Sequence, residues 1–391
     1  MGLIRLTLAM TVLLVHCWPQ AQRLHPVLID ARFSVELFFI ISGFFMTLVL
    51  NTKYPDTAKG ALLFLRNRAV RLFPTYWLVL LASIVWIALL RGFHVPYAKM
   101  YVVWADPRWP LNALSALLVG FSNLFFLGQD ALFQLGVDAS GALRYHGAFN
   151  FHPGMTMSQV PAYWYLMVPP AWSVALESSF YLVAPFLLRR RIRVLAGVAA
   201  LSLAVRIALF AMGLQGDTWD TRFLPSNFVL FCTGAIICRL AILDQRVRIP
   251  QALGPWGMAL VPLLIALHVP LVNGLERILG AAAEPMVLAV TFALLIVCMP
   301  AIVRTTKGSK LDRLFADLAY PVFITHHTLL IMLRVAFGRD HWIWQAFTPY
   351  VPLLVVGISL GVVFGFYRPV YAWSLRVLDR PGKALVAGPT A

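Results

Sequence analysis

Apolar runs recur along the whole chain, near residues 2–18, 33–51, 72–90, 171–188, 193–213, 225–243, 255–273, 285–303, 318–337 and 350–375. Each approaches the 17 to 25 residues a helix needs to cross the hydrocarbon of a bilayer. With 60% hydrophobic residues, 12% charged residues and a mean hydropathy of +0.79, the chain has too much apolar surface for a water-soluble globule to hide. The expected fold is therefore all-α: a polytopic integral membrane protein of about ten transmembrane helices. One membrane domain fills residues 1–376, and 377–391 form a tail.

The net charge of +16 is not read as a nucleic-acid surface, because basic residues in a membrane protein first of all mark its cytoplasmic loops. Lys53, Lys59, Arg66, Arg68 and Arg71 follow the second run, and Arg189, Arg190, Arg191 and Arg193 follow the fourth. Arg239, Arg246 and Arg248 come next, then Arg304, Lys307, Lys310 and Arg313, and last Arg376, Arg380 and Lys383. With Arg5, these clusters fall on alternate loops only if both termini are cytoplasmic. A further apolar stretch, 111–128, would put the Arg189 cluster outside if it crossed, so it is expected to dip into or lie along the outer face. Residues 91–170 then form one extracytoplasmic excursion rich in Trp, Tyr, Pro and Gly. That surface suits a sugar or headgroup, and an interfacial aromatic belt has the same composition.

All four cysteines, Cys17, Cys232, Cys238 and Cys298, fall in apolar runs, with no disulfide or metal-ligand spacing. Arg5 followed by an apolar stretch and Cys17 also suits a signal peptide, but His16 stands where a small residue should precede the cut. No internal repeat or soluble domain is visible.

Arg5 and His16 are eleven residues apart in the first run, and at about 100° per residue they return to nearly the same helix face. Ionisable groups at bilayer depth cost roughly 2.5 to 3.5 kcal/mol each and are read by default as functional. In the second run Glu36 precedes a small Ser42-Gly43 step that allows close helix approach; Glu36 either pairs with Arg32 or serves the site. Arg68 and Arg71 are i,i+3 neighbours ahead of Pro74, fitting either a positive-inside cluster or two guanidinium forks for phosphates. Ser173, Glu177 and Tyr181 share one face at i,i+4 spacing, next to Trp172. Glu177 is a reactive carboxylate or a partner for an arginine such as Arg206. His326 and His327 lie late in the chain; His327 and His268 are read as ordinary hydrogen-bonding residues. A histidine with carboxylates and arginines in one cavity suits acyl transfer or proton-coupled transport.

These segments together resemble the acyltransferase 3 family of membrane-bound, acyl-CoA-dependent O-acyltransferases. Arg5 and His16 match its Arg-x10-His pair, and Glu36 through Phe44 its acidic-Leu-Phe-Phe-x-x-Ser-Gly-Phe segment. Arg68, Arg71, Pro74 and Tyr76 resemble its Arg-x-x-Arg-x-x-Pro-x-Tyr stretch. Trp172, Ser173, Glu177, Phe180 and Tyr181 match its Trp-Ser helix, and Tyr320, Phe323 and His326 its late histidine element. Glu36 departs from the family's more usual Asp, few residues precede Arg5, and no esterase-like domain follows the last helix.

The resemblance implies an enzyme of the bacterial inner membrane that moves an acyl group, commonly acetyl, from cytosolic acyl-CoA to a hydroxyl of a cell-surface polysaccharide or lipid-linked sugar. It implies His16 and Glu177 as catalytic residues, and Arg5, Arg68 and Arg71 as donor-binding residues. Glu36, Ser42, Trp172, Ser173, Tyr181 and His326 are expected to face substrate. No metal and no tightly bound cofactor is expected, acyl-CoA being a substrate; the partners are that donor, the glycan or lipid-linked acceptor and the bilayer. The alternative is a proton-coupled transporter or flippase, which commonly shows paired halves with interrupted helices; that symmetry is not seen.

Overall fold

The computed structural model describes residues 1–17, 28–92, 103–104, 110–145, 160–214, 216–337, 346 and 348–377. Residues 93–102, 105–109 and 146–159 of the 91–170 stretch, and 378–391 of the tail, lie outside the described residues. The chain forms α1 (Gly2–Cys17), α2 (Ala31–Lys53), α3 (Ala58–Gly92), α4 (Ala113–Phe125), α5 (Ala171–Leu187) and α6 (Ile192–Ala211). There follow α7 (Leu224–Cys238), α8 (Leu253–Ala266), α9 (His268–Leu279), α10 (Ala283–Thr306), α11 (Lys310–Phe337) and α12 (Val351–Val362). α7 runs on through a wider-wound turn, Arg239–Leu243, and α12 through Val363–Tyr367 into Arg368–Val377.

This is a multi-pass membrane protein. Among the described residues seven helical stretches are long and apolar enough to cross a bilayer, while α1, α4, α5 and α8 are apolar but shorter. The 13 residues of α4 reach about 20 Å at 1.5 Å per residue, less than the roughly 30 Å of hydrocarbon. α6 leaves large side chains such as Leu201, Ile207 and Phe210 uncovered and buries only Leu195 and Ser202. In lipid such a face costs nothing, since the tails are as apolar as Leu.

Nine of the ten apolar runs each coincide with one helix, and the tenth, 255–273, divides. α8 ends at Ala266 and α9 starts at His268. Pro270 explains the break, because a proline ring clashes with the carbonyl four residues back, here that of Ala266.

The Ser42-Gly43 step does bring two helices together. A Cβ on Gly43 would overlap the Phe231 carbonyl of α7, and one on Gly234 would overlap the Ile40 carbonyl of α2. Gly43→Ala is therefore expected to lower stability by roughly 1 to 3 kcal/mol through overpacking, read as a drop in unfolding temperature in detergent. Gly197→Ala in α6, where an added Cβ meets nothing within 4 Å, should cause no such drop.

The architecture is all-α as expected, with three short strands added inside the 91–170 stretch: β1 (Leu135–Val137), β2 (Leu143–Tyr145) and β3 (Val160–Pro161), antiparallel in the order β2-β1-β3. Two or three residues per strand leave no run long enough to show alternation in sequence. Asp138 closes the β1–β2 turn by accepting from the Ser140 hydroxyl (2.6 Å) and amide (2.9 Å), the Ala142 amide and Arg144. The Ser140 hydroxyl first, and then the other donors, hold its carboxyl down at about 2. Gly141, at φ +76°, adopts the left-handed region and its carbonyl accepts from the Asn112 amide that precedes α4.

α4 is tied to α3 by a buried polar knot. Tyr76 of α3 donates to the Asn123 carbonyl, Gln129 donates to the Tyr76 hydroxyl (3.1 Å), and the Asn123 amide donates to the Tyr165 carbonyl (2.9 Å). Tyr76 is fully buried, so the Pro-x-Tyr element serves here to seat α4.

Candidate active site

On α1, Arg5, Leu8, Ala9 and Val12 follow the i, i+3, i+4, i+7 pattern of one helix face. That face meets α2, α3, α5 and α11 around a cavity of about 70 Å³. Its polar wall is Arg5, Arg68, Arg71, Ser34, Ser173, Glu177, Tyr181 and Tyr320. A water molecule needs about 10 to 15 Å³ of such space, so the cavity takes several waters or a slender part of a ligand.

Glu177 is held at one oxygen by two hydroxyls. The Ser42 hydroxyl and the Tyr181 hydroxyl (2.5 Å) both donate to Oε1. Ser42 thus acts on Glu177 from α2 without lining the cavity. The i,i+4 spacing of Glu177 and Tyr181 gives one of these bonds; the other depends on how α2 and α5 pack, which spacing does not encode. The Ser173 hydroxyl donates to the Pro170 carbonyl at the start of α5 (3.2 Å).

Among the described residues, Arg5, Arg68 and Arg71 form no salt bridge. Arg5 lies over the rings of Phe38 (5.1 Å) and Phe45 (5.6 Å), and Arg68 over Phe64 (5.5 Å). The Nε atoms of Arg5 and Arg68 are buried without a hydrogen-bond partner. Three guanidinium groups facing one carboxylate leave an excess of positive charge. Buried donors without acceptors are costly, and an anionic ligand would relieve both costs.

His16 is the next turn of the same α1 face, just beyond the cavity-lining Val12. Its Nδ1 donates to the Val12 carbonyl (2.7 Å); a carbonyl only accepts, so in the neutral ring Nδ1 carries the proton and Nε2 keeps its lone pair. His326 and His327 of α11 surround it, with ring centroids at 5.1 and 5.2 Å. His326 is fully buried, and its Nδ1 donates to the carbonyl of Phe323 (2.6 Å), itself a cavity residue. The histidine cluster thus stands one turn past the cavity on both helices. Glu177 makes no hydrogen bond to His16. The orientation of that ring comes from the α1 backbone and its histidine neighbours.

Glu36 is buried elsewhere, paired with Arg206 of α6 at 2.5 Å. Arg206 also donates to the Asp220 carbonyl (3.1 Å). The arginine considered as a partner for Glu177 therefore pairs with Glu36, while Arg32 lies over Phe33 (4.5 Å). Trp172 is buried just outside the cavity wall, with Arg222 stacked between it and Phe133 at 4.2 Å from each ring. Arg222, Arg334 and Asp30 are the charges in the field of His16, and Arg334 donates to the His16 carbonyl (3.2 Å). The grouping of His327, Arg222 and Arg334 around His16 has no signal in spacing, since each comes from a segment distant in sequence. Tyr320 of the late motif lines the cavity and donates to the Leu72 carbonyl (3.0 Å). No metal-ligand cluster occurs among the described residues.

Half-buried cations and a carboxylate around one cavity, with a histidine cluster one turn beyond it, define a multi-pass membrane protein with a site inside its helix bundle. The family model described as an acyltransferase domain matches residues 1–366. The chain belongs to this family, the acyltransferase 3 family, and is a membrane acyltransferase. No curated protein and no solved structure matches the chain.

Proposed function

We propose that the protein is an acyl-CoA-dependent O-acyltransferase of the bacterial inner membrane, with both termini cytoplasmic. It moves an acetyl group onto a hydroxyl of a cell-surface polysaccharide or lipid-linked sugar. The observation that carries this reading is the cavity where Arg5, Arg68 and Arg71 converge unpaired beside Glu177, with His16 one turn further along α1. Arg5 to His16 spans about 16 Å at 1.5 Å per residue, about half the roughly 30 Å hydrocarbon. A pantetheine arm covers that depth while its phosphates stay at the arginines.

In this mechanism the donor enters from the cytoplasm and the acceptor hydroxyl reaches His16 from the opposite side. Nε2 of His16 takes the hydroxyl proton while the oxygen attacks the thioester carbonyl. The tetrahedral intermediate collapses with cleavage of the carbon–sulfur bond, and the proton on Nε2 passes to the departing CoA thiolate. An ester and free CoA result. Glu177 balances the three guanidinium charges and, with Ser173 and Tyr181, shapes the channel for the arm; Trp172 and His326 lie on the acceptor side. Ser42 supports these groups through Glu177, while Glu36 ties α2 to α6 through Arg206, away from the cavity.

The test is to incubate radiolabelled acetyl-CoA with membranes containing the protein and with the surface glycan of its host. Label should pass into glycan as an alkali-labile ester. Label absent from every glycan and lipid-linked sugar fraction, with the protein folded, would count against the reading. Arg71→Gln should raise KM for acetyl-CoA more than it lowers kcat, because the donor phosphates are bound alike in ground and transition states.

A further inference from the structure

A second hollow, of about 510 Å³, lies on the outer side of the bundle between α3, the end of α4 and α5. It shares Arg68, Leu72 and Tyr181 with the catalytic cavity. Its α3 wall is one helix face, Lys59, Leu62, Leu63, Arg66, Ala69 and Phe73, at i, i+3, i+4, i+7 spacing. Phe125, Phe126 and Leu127 close one side, and Ser178 with Leu182 the other. Leu62 and Leu182 on its lips are 68% and 49% exposed. The volume falls in the range of about 300 to 1,000 Å³ typical of built ligand sites.

The hollow is polarised. Lys59 and Arg66 stand at one end, Arg68 and Tyr181 lie on the wall shared with the catalytic cavity, and the remainder is hydrocarbon apart from Ser178. Nε and Nη2 of Arg66 and the Ser178 hydroxyl are buried with no hydrogen-bond partner, and among the described residues neither Arg66 nor Lys59 forms a salt bridge. Donors sealed from water in this way call for an anionic acceptor. From Lys59 to Phe73 the trough runs about 21 Å at 1.5 Å per residue, against about 15 Å of hydrocarbon in one leaflet, half of the 30 Å total. That length takes a headgroup and one chain of a single leaflet.

We propose that this hollow is a site for an anionic phospholipid, its phosphate on Arg66 and Lys59 and one acyl chain along Leu62, Leu63, Phe73, Phe125 and Leu182. The charge complementarity and the exposed apolar lips at Leu62 and Leu182 favour a membrane lipid over a nucleotide, which would leave the apolar length from Leu62 to Phe73 and Phe125 unmatched. The site stands whether or not the donor and acceptor assigned above are right. Because α3 and α5 also carry Arg68 and Glu177, a lipid seated here braces the two helices that hold the donor end of the catalytic cavity.

The full-length protein, purified in mild detergent, is analysed by native mass spectrometry after exchange into mixed phosphatidylglycerol and phosphatidylethanolamine. Phosphatidylglycerol should be retained in preference. The double variant Lys59→Gln, Arg66→Gln should retain about tenfold less, as expected on losing charge-assisted hydrogen bonds. Leu182→Trp should displace the chain and reduce retention of both lipids. Should the double variant fail to fold, wild-type protein is labelled with phosphatidylglycerol bearing a diazirine on its acyl chain. Crosslinks should then map to residues 59–73, 125–127 and 178–182, competed by excess phosphatidylglycerol and not by phosphatidylethanolamine. Equal retention of the two lipids, crosslinks spread over the lipid-facing helices, or displacement of the probe by acetyl-CoA or by a lipid-linked sugar would overturn the proposal.

Discussion

Replacing His16 by Ala is expected to reduce acyl transfer by about 10² to 10⁴, the usual contribution of a positioned general base, with little change in the amount of folded protein. The ring is partly buried and forms one hydrogen bond, to the Val12 carbonyl of its own helix. Its loss therefore removes little packing. What it removes is the one ring in the cluster whose helix face runs unbroken to the donor arginines. His16→Gln should be as inactive, because an amide cannot take up a proton. His327→Ala should cost less, since that ring only flanks His16 at 5.2 Å. Initial rates in membranes matched for protein content measure all three. An active His16→Ala enzyme would remove the histidine from the chemistry.

Glu177→Ala is expected to damage both stability and activity. Glu177 is partly buried and, among the described residues, forms no salt bridge, so the loss comes from the Ser42 and Tyr181 hydroxyls left without their acceptor, about 1 to 3 kcal/mol. Three guanidinium groups would face one another without a counter-charge, so the variant should unfold at lower temperature and bind no donor productively. Glu177→Gln separates the two effects. It keeps an oxygen for both hydroxyls and removes the charge, so most of the packing should survive while donor turnover falls. Thermal unfolding in detergent, run beside acetyl-CoA turnover, distinguishes the variants. Equal stability of Glu177→Ala and wild type would contradict the charge-balancing role.

The helices were legible because each must present an apolar surface along its whole length to lipid or to other helices, and that demand is written locally. The division of 255–273 at Leu267 was legible too, in Pro270, but a count of apolar residues passes over it. The β1–β2 hairpin was not, because its order rests on the Asp138 turn and on Gly141 meeting Asn112, contacts with no periodic signature. For the site, the four-residue spacing of Glu177 and Tyr181 puts the two within hydrogen-bond reach, while the eleven-residue spacing of Arg5 and His16 sets Arg5 in the cavity wall and His16 one turn past it. Pairing between helices was different. Arg206 could have met either carboxylate, and only the packing of α2 and α6 against α7 sends it to Glu36, leaving Glu177 to Ser42. His16 meeting His326 and His327 likewise depends on the register of α1 against α11. The lipid-facing hollow was invisible for the same reason: Arg66 is an ordinary basic residue until Phe125 and Ser178 close around it.

The claim on which the mechanism depends is that one channel joins the arginines to Nε2 of His16. A structure of the protein bound to a non-hydrolysable thioether analogue of acetyl-CoA tests it most directly. The phosphates should sit at Arg68 and Arg71, and the acetyl carbonyl should lie beyond Val12, within hydrogen-bond reach of an acceptor hydroxyl held by His16. An analogue whose acetyl end stops beside Glu177, a full turn or more short of the imidazole, or whose nucleotide binds at the histidine end of α1, would contradict the account.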